Sequence, residues 1–188
     1  MATTNKITVG IPTKNRYESL SHTLISIALQ TLKPEEIIIV DDSDSPQDLR
    51  KNLQYTYIFK LLDEKGIKWK VLFGKKLGQH HSHQLIQEEA EGNLIFRIDD
   101  DCIAESDTLQ RLYESMDEKV GAVAPLVLMP PTQRKIVQSN KIFNLEEPNI
   151  QWFKWSGVRE CEHLYSCFLY RRNIVKYDLR LSSVAQIS

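Results

Sequence analysis

Cysteine is scarce. There are three in 188 residues, Cys102, Cys161 and Cys167, an odd count with no C-x-x-C pair. That argues against a disulfide framework, offers no zinc spacing and fits a reducing compartment. Long apolar runs are missing as well. The longest, residues 120–129, is broken by Gly121 and Pro125 and is too short to span a bilayer. The first residues, Met-Ala-Thr-Thr-Asn-Lys, have no apolar signal core. Neither sign of charge dominates: 24 Lys and Arg against 25 Asp and Glu leave a formal net charge of −1. Such a balance gives no reason to expect nucleic acid or an anionic membrane as a partner. No repeats or low-complexity segments occur. The expectation is a cytoplasmic protein without a transmembrane segment, long enough for one substantial core and forming a single domain over residues 1–188.

What is present centres on one stretch, Asn93-Leu-Ile-Phe-Arg-Ile98 followed by Asp99-Asp100-Asp101. The apolar run reads as a short buried strand. Three adjacent carboxylates at its end repel each other and are costly to desolvate without positive charge nearby. One resolution is a solvated loop that caps the next helix. The other is a divalent cation, since carboxylate oxygens suit Mg²⁺ or Mn²⁺, and such ions bridge to diphosphates. The triplet alone leaves both open.

The flanking pattern alternates. Residues 6–11 read as a strand closed by Pro12, and 16–31 as a helix with the stripe Leu20, Leu24, Ile27 and Ala28. Residues 37–40, all β-branched, read as a strand covered on both faces, followed by Asp41 and Asp42. Ser45-Pro46 has the form of an N-cap and N1 pair, opening a helix with Leu49, Leu53, Tyr57 and Leu61 at fourfold spacing. A strand at 67–73, a loop at 74–78 and a helix at 80–91 ended by Gly92 lead to the central strand. Ser106 caps a helix bearing Leu109, Leu112, Tyr113 and Met116, and 120–128 is a further strand. Beyond Leu128 the pattern becomes irregular over 133–162, where Trp152, Phe153 and Trp155 suit either a core or a sugar ring. A strand at 164–170 precedes a short helix from Arg171-Arg172 towards Tyr177-Asp178.

Alternating strands and helices with short links imply an α/β fold with a doubly wound, mostly parallel sheet. In such sheets ligands bind beyond the carboxyl ends of the strands. That edge collects Pro12-Thr13-Lys14-Asn15-Arg16, Asp41-Asp42 and Asp99 to Asp101. Taken singly, Thr13 and Asn15 could cap a helix and Asp41-Asp42 could form a turn. Three polar clusters at successive strand ends point instead to one crevice.

Three ordered motifs, Val9-Gly-Ile-Pro-Thr-Lys-Asn-Arg16, Ile38-Ile-Val-Asp-Asp-Ser43 and Phe96-Arg-Ile-Asp-Asp-Asp101, resemble the family 2 inverting nucleotide-sugar glycosyltransferases of the GT-A fold, from about residue 7 to residue 178. The resemblance implies transfer of a sugar from a nucleoside-diphosphate donor, UDP by default, to an unknown saccharide, lipid or protein acceptor. It implies a Rossmann-like nucleotide-sugar part at 1–128 and an incomplete acceptor-side part at 129–188. By the same resemblance Pro12, Thr13 and Arg16 hold the nucleoside, and Asp42 or its neighbour Asp41 accepts a hydrogen bond from the base. Asp99 and Asp101 occupy the first and third positions of the DxD motif. Asp101 then binds Mn²⁺ or Mg²⁺, Asp99 meets the ribose or the metal shell, and Asp100 lies beside the nucleotide.

Two departures stand out. After Gly78 the family places Arg-Asn on a helix, whereas this chain has Gln79-His80-His81-Ser82-His83-Gln84. His83 falls at the arginine, and an imidazole replaces an always-charged fork only when protonated. The histidines are expected to line the donor pocket, with a second metal site the alternative. The family's general base also lies on a helix after the segment that 170–178 resembles, about where this sequence stops at Ser188. Of the late acids, Asp178 and Glu162, neither matches that motif. The expectation is a C-terminally truncated enzyme, and the alternative a nucleotide-sugar-binding module without efficient transfer. Haloacid-dehalogenase phosphatases and phosphorelay receivers fit less well. Asp99 to Ile103 lacks the Asp-x-Asp-x-Thr threonine, and the acidic pair follows the second strand, not the first.

Overall fold

The computed structural model describes residues 6–127, 157–158, 160–161, 164, 166–174 and 176–179. Its elements are β1 (Ile7–Thr13), α1 (Tyr17–Ala28), β2 (Glu36–Asp41), a 3₁₀ turn (Leu49–Lys51), α2 (Leu53–Glu64), β3 (Lys68–Phe73), α3 (Gln79–Glu89), β4 (Leu94–Arg97), α4 (Thr108–Glu114), β5 (Ala122–Val123) and β6 (Phe168–Arg171). The strands form one six-stranded sheet in the order β3-β2-β1-β4-β6-β5. β1 pairs in parallel with β2 and β4, and β2 with β3, while β6 runs antiparallel to β4 and β5.

Alternation along each strand separates two cores. Ile7, Val9 and Ile11 of β1, Ile37 and Ile39 of β2, and Leu94 and Phe96 of β4 pack with α1, α2 and α4. Ile38, Val40, Ile95 and Tyr170 pack on the other face with Ile86 of α3. β2 is buried from end to end, which is why its sequence shows no polar alternation. The sheet is therefore doubly wound. The chain steps outward from β1 to β2 and β3, then returns to the other side of β1 with β4. The reversal opens a crevice between the carboxyl ends of β1 and β4.

Several expectations need correction. β1 does not close at Pro12, since Pro12 and Thr13 pair with Val40 and Asp41. β4 accompanies β1 only as far as Gly10, so Pro12 sits where the strand has one neighbour and its missing N–H is tolerated. No helix starts at Ser45-Pro46. Asp48 and Asn52 supply side-chain caps to Arg50 N–H and Gln54 N–H instead. The buried face of α2 is Tyr55, Ile58, Phe59 and Leu62, while Leu53 and Tyr57 are exposed. A strict fourfold stripe drifts around a helix of 3.6 residues per turn. Asp107, not Ser106, precedes α4, and Gln30, just past the end of α1, caps it by accepting the Leu109 N–H at 2.9 Å. The strand expected at 120–128 is only Ala122–Val123 among the described residues. Arg171 ends β6, and Arg172 enters a turn instead of a helix. Trp152, Phe153, Trp155 and Glu162 lie outside the described residues, as does most of the stretch read as irregular.

Candidate functional site

The crevice at the β1–β4 reversal is held by side chains from both strand ends. Thr13, 3% exposed and the last residue of β1, donates its hydroxyl to Asp100 Oδ2 at 2.7 Å. Arg16 reaches from the start of α1 to Asp100 Oδ1 at 3.3 Å and Asp101 Oδ2 at 2.8 Å. Asp100 is buried and Asp101 half exposed. Thr13, Arg16, Asp100 and Asp101 are thus one constellation, with half-exposed Pro12 in the strand just before it.

β2 supplies the next wall. Asp41, buried, accepts from the Tyr17 hydroxyl at 2.8 Å and the Ser43 N–H at 3.0 Å. Ser43 Oγ in turn accepts from the Asn15 N–H, which holds the β1 loop in its left-handed turn at Asn15 (φ 57°). Asp42 is tied to the loop after β3. Its two oxygens accept from Lys76 N–H at 2.6 Å and Gly78 N–H at 3.2 Å. Gly78 takes φ 94° as α3 begins, a conformation that favours glycine. The acidic pair is therefore more than a turn: it ties loops from β1, β2 and β3 together.

Asp99 stands two residues after Arg97, the last residue of β4. Burial, the largest cause, pushes its carboxyl above the ordinary range, and Arg97 partly offsets this. Burial pushes Asp100 up too, against the pull of Thr13 and Arg16. Gln79 Nε2 lies 3.4 Å from Asp99 Oδ1. Three neighbouring acids, two of them destabilised as anions by burial, fit a hard divalent cation. Among the described residues no three His, Cys, Asp or Glu side chains converge on a common point. A cation held by Asp99 and Asp101 would take its other ligands from phosphate oxygens and water.

His83 does not join this constellation. It is 2% exposed on α3, and its ring stacks on Tyr177 at 5.5 Å. Desolvation first, then Arg97 and His80, hold it well below the usual imidazole range, so it is neutral and offers no charge to a diphosphate. Asp178 borders a cleft of about 520 Å³ together with Gln84, Glu88 and Tyr177. Tyr17, Ser43 and Arg97 were missed in the sequence reading. Only Arg97 carried a signal, as the one charged residue inside the apolar run of β4.

The fold and these motifs have counterparts. A curated relative, the glucosyl-dolichyl phosphate glucuronosyltransferase of Haloferax volcanii, is 30% identical over 114 residues, covering 58% of this chain and 33% of that protein. S. aureus TarS 1-349, solved in complex with UDP, superposes with a TM-score of 0.58 at 19% identity over 95% of this chain and 52% of its own. The mannosyltransferase PcManGT of Pyrobaculum calidifontis, solved with GDP-Man and Mn²⁺, gives 0.54 at 20% identity over 72% of this chain and 39% of its own. The two structures share the α/β fold with this chain, which spans a third of the curated relative and about half of TarS 1-349. No helix among the described residues is long and apolar enough to cross a membrane. The model of the family described as "Glycosyl transferase family 2" matches residues 8–177, from β1 through the acid-bearing strand ends to Tyr177, and the chain belongs to that family.

Proposed function

We propose that this chain carries the donor half of an inverting glycosyltransferase that takes a UDP-sugar and depends on Mn²⁺ or Mg²⁺. The observation that carries the reading is the link across the sheet reversal, Thr13 to Asp100 with Arg16 bridging Asp100 and Asp101. It puts the first loop and the acid triplet in one crevice, where a doubly wound sheet binds its ligands. Pro12, Thr13 and Arg16 line the nucleoside side. Asp41 and Asp42, with Gly78, form the wall that receives the base. Asp99 and Asp100 flank the ribose, and Asp99 and Asp101 hold the cation. A divalent cation supplies Lewis-acid stabilisation of the leaving diphosphate. UDP in TarS supports a uridine donor, and Mn²⁺ in PcManGT supports the metal. GDP-Man in PcManGT makes guanosine the alternative that an experiment must separate.

Calorimetric titration of UDP, GDP and dTDP with and without Mn²⁺ tests this. UDP should bind best, and only weakly without metal. Asp101→Ala should abolish the metal dependence, whereas Asp42→Ala should weaken binding in either condition. Equal, negligible heats for all three nucleotides would sink the reading.

A further inference from the structure

Buried polar atoms in folded proteins almost always have hydrogen-bond partners. Among the described residues, four buried side-chain atoms make no hydrogen bond of good geometry: His80 Nδ1, His83 Nε2, Arg97 Nε and Tyr177 Oη, the last having only the Tyr170 hydroxyl near it. All four belong to one group. The Tyr177 ring stacks on His83 at 5.5 Å and lies 6.1 Å from His80. Arg97 and His80 both act electrostatically on His83. His80 and His83 stand three residues apart on one face of α3. Leaving four such atoms unpaired in one place is costly, and it costs nothing once a ligand supplies the missing partner.

We infer that Arg97, His80, His83 and Tyr177 form a pocket for a carboxylate on a sugar ligand, beside the acid-bearing end of β4. The inference takes the sugar from the proposed function above. Its chemistry follows from the four groups. Arg97 Nε can only donate, and the Tyr177 hydroxyl and an imidazole N–H can donate beside it, so an acceptor satisfies the group. Arg97 forms no ion pair with any described acid. Its guanidinium lies over the Phe168 ring, 5.4 Å from the centroid, which leaves its edge to a planar anion. Arg97 is the fixed cation of the pocket, and the Asp99 carboxylate follows it two residues on, just past β4. A monoanionic carboxylate is favoured there over a dianionic phosphate. Tyr177 lies in the irregular segment 176–178 and borders the open cleft of about 520 Å³ lined by Gln84, Glu88 and Lys176.

The test compares UDP-glucuronate, UDP-glucose and UDP by calorimetry with Mn²⁺, and free glucuronate against glucose in the presence of UDP. The proteins are the parent chain, Arg97→Gln and Tyr177→Phe, the second keeping the ring and removing only the hydroxyl. Histidine ring resonances are followed by NMR. The parent should favour the carboxylated ligand about tenfold or more, with the His80 and His83 resonances moving. Both variants should lose most of that preference. A preference for UDP-glucuronate over UDP-glucose assigns the carboxylate to the donor. A preference seen only with free glucuronate assigns it to the acceptor. If UDP binds but neither carboxylate is preferred, the inference is overturned and the nucleotide reading stands. If no nucleotide binds while glucuronate still moves the histidine signals, the nucleotide reading fails and the pocket stands. Equal affinities with unmoved histidine signals overturn the pocket in every case.

Discussion

His83 is sealed from solvent, and burial first, then the charges of Arg97 and His80, oppose a positive charge on it. Its native pKa lies below the unfolded value, so the unfolded chain takes up a proton that the native chain refuses. Stability therefore falls as pH drops through about 6.5, by about 1.4 kcal/mol per pH unit below that value while the native ring stays neutral. Urea unfolding at pH 7.5 and 5.5 measures this, with His83→Phe as the reference because it keeps an aromatic ring against Tyr177. The parent should lose stability relative to the variant at the lower pH, and parallel losses in both would show that His83 is not buried as a neutral ring. The sequence placed His83 on the right helix but could not give its protonation, because charge state depends on which elements close over the ring. Thr13, Arg16, Asp100 and Asp101 were readable because each stands at a strand end, where the fold class dictates the ligand edge. Tyr17 and Ser43 were not, since hydroxyls beside such an edge look like any surface hydroxyl until the Tyr17 hydroxyl is found on Asp41 and the Ser43 hydroxyl on the Asn15 N–H.

At the scale of elements, α3 stands apart, the sole helix packed against the second core among the described residues. It approaches β1 closely because Gly10 has no side chain. A Cβ there would meet Ile86 Cγ2 at 2.5 Å, and at that distance something must shift. Gly10→Ala should destabilise the chain by about 1–3 kcal/mol through overpacking, and adding Ile86→Val should recover part of the loss. Chemical unfolding of the single and double variants checks this. An unchanged midpoint for Gly10→Ala would show that α3 rides free of β1. Element type was readable wherever one face is apolar over several turns, as in α1. Element phase was harder. Of the four residues at fourfold spacing, Leu49 is buried in the turn before α2 and Leu61 partly buried, but Leu53 and Tyr57 are exposed. The buried face was fixed by contacts far along the chain, such as the Tyr55 hydroxyl donating to the Tyr17 carbonyl. The antiparallel partner of β4 was equally hidden, because β6 is four residues long and returns only after the stretch beyond Leu128.

For the whole molecule, the reversal between β1 and β4 decides how the site and the fold depend on each other. The two strands pair only from Ile7 to Gly10 on the β1 side. Beyond that point they splay, and the link that rejoins them is the Thr13 hydroxyl on Asp100, with Arg16 outside it. Both Thr13 and Asp100 are buried, so Thr13→Val leaves a carboxylate short of a partner in a dry place and should cost about 1–3 kcal/mol. A nucleotide that spans the same crevice binds the folded chain alone. At a hundred times its dissociation constant it should add about 2.7 kcal/mol of stability. The two effects share Asp100 and are expected not to add. In Thr13→Val the acid turns fully towards Arg16, the crevice is no longer set for the ligand, and the same concentration of UDP and Mn²⁺ should stabilise the variant less than the parent. Urea unfolding of both proteins, with and without UDP and Mn²⁺, gives the four numbers. Equal ligand stabilisation in the two proteins would separate the fold-holding link from the binding site and place the nucleotide away from the β1–β4 reversal.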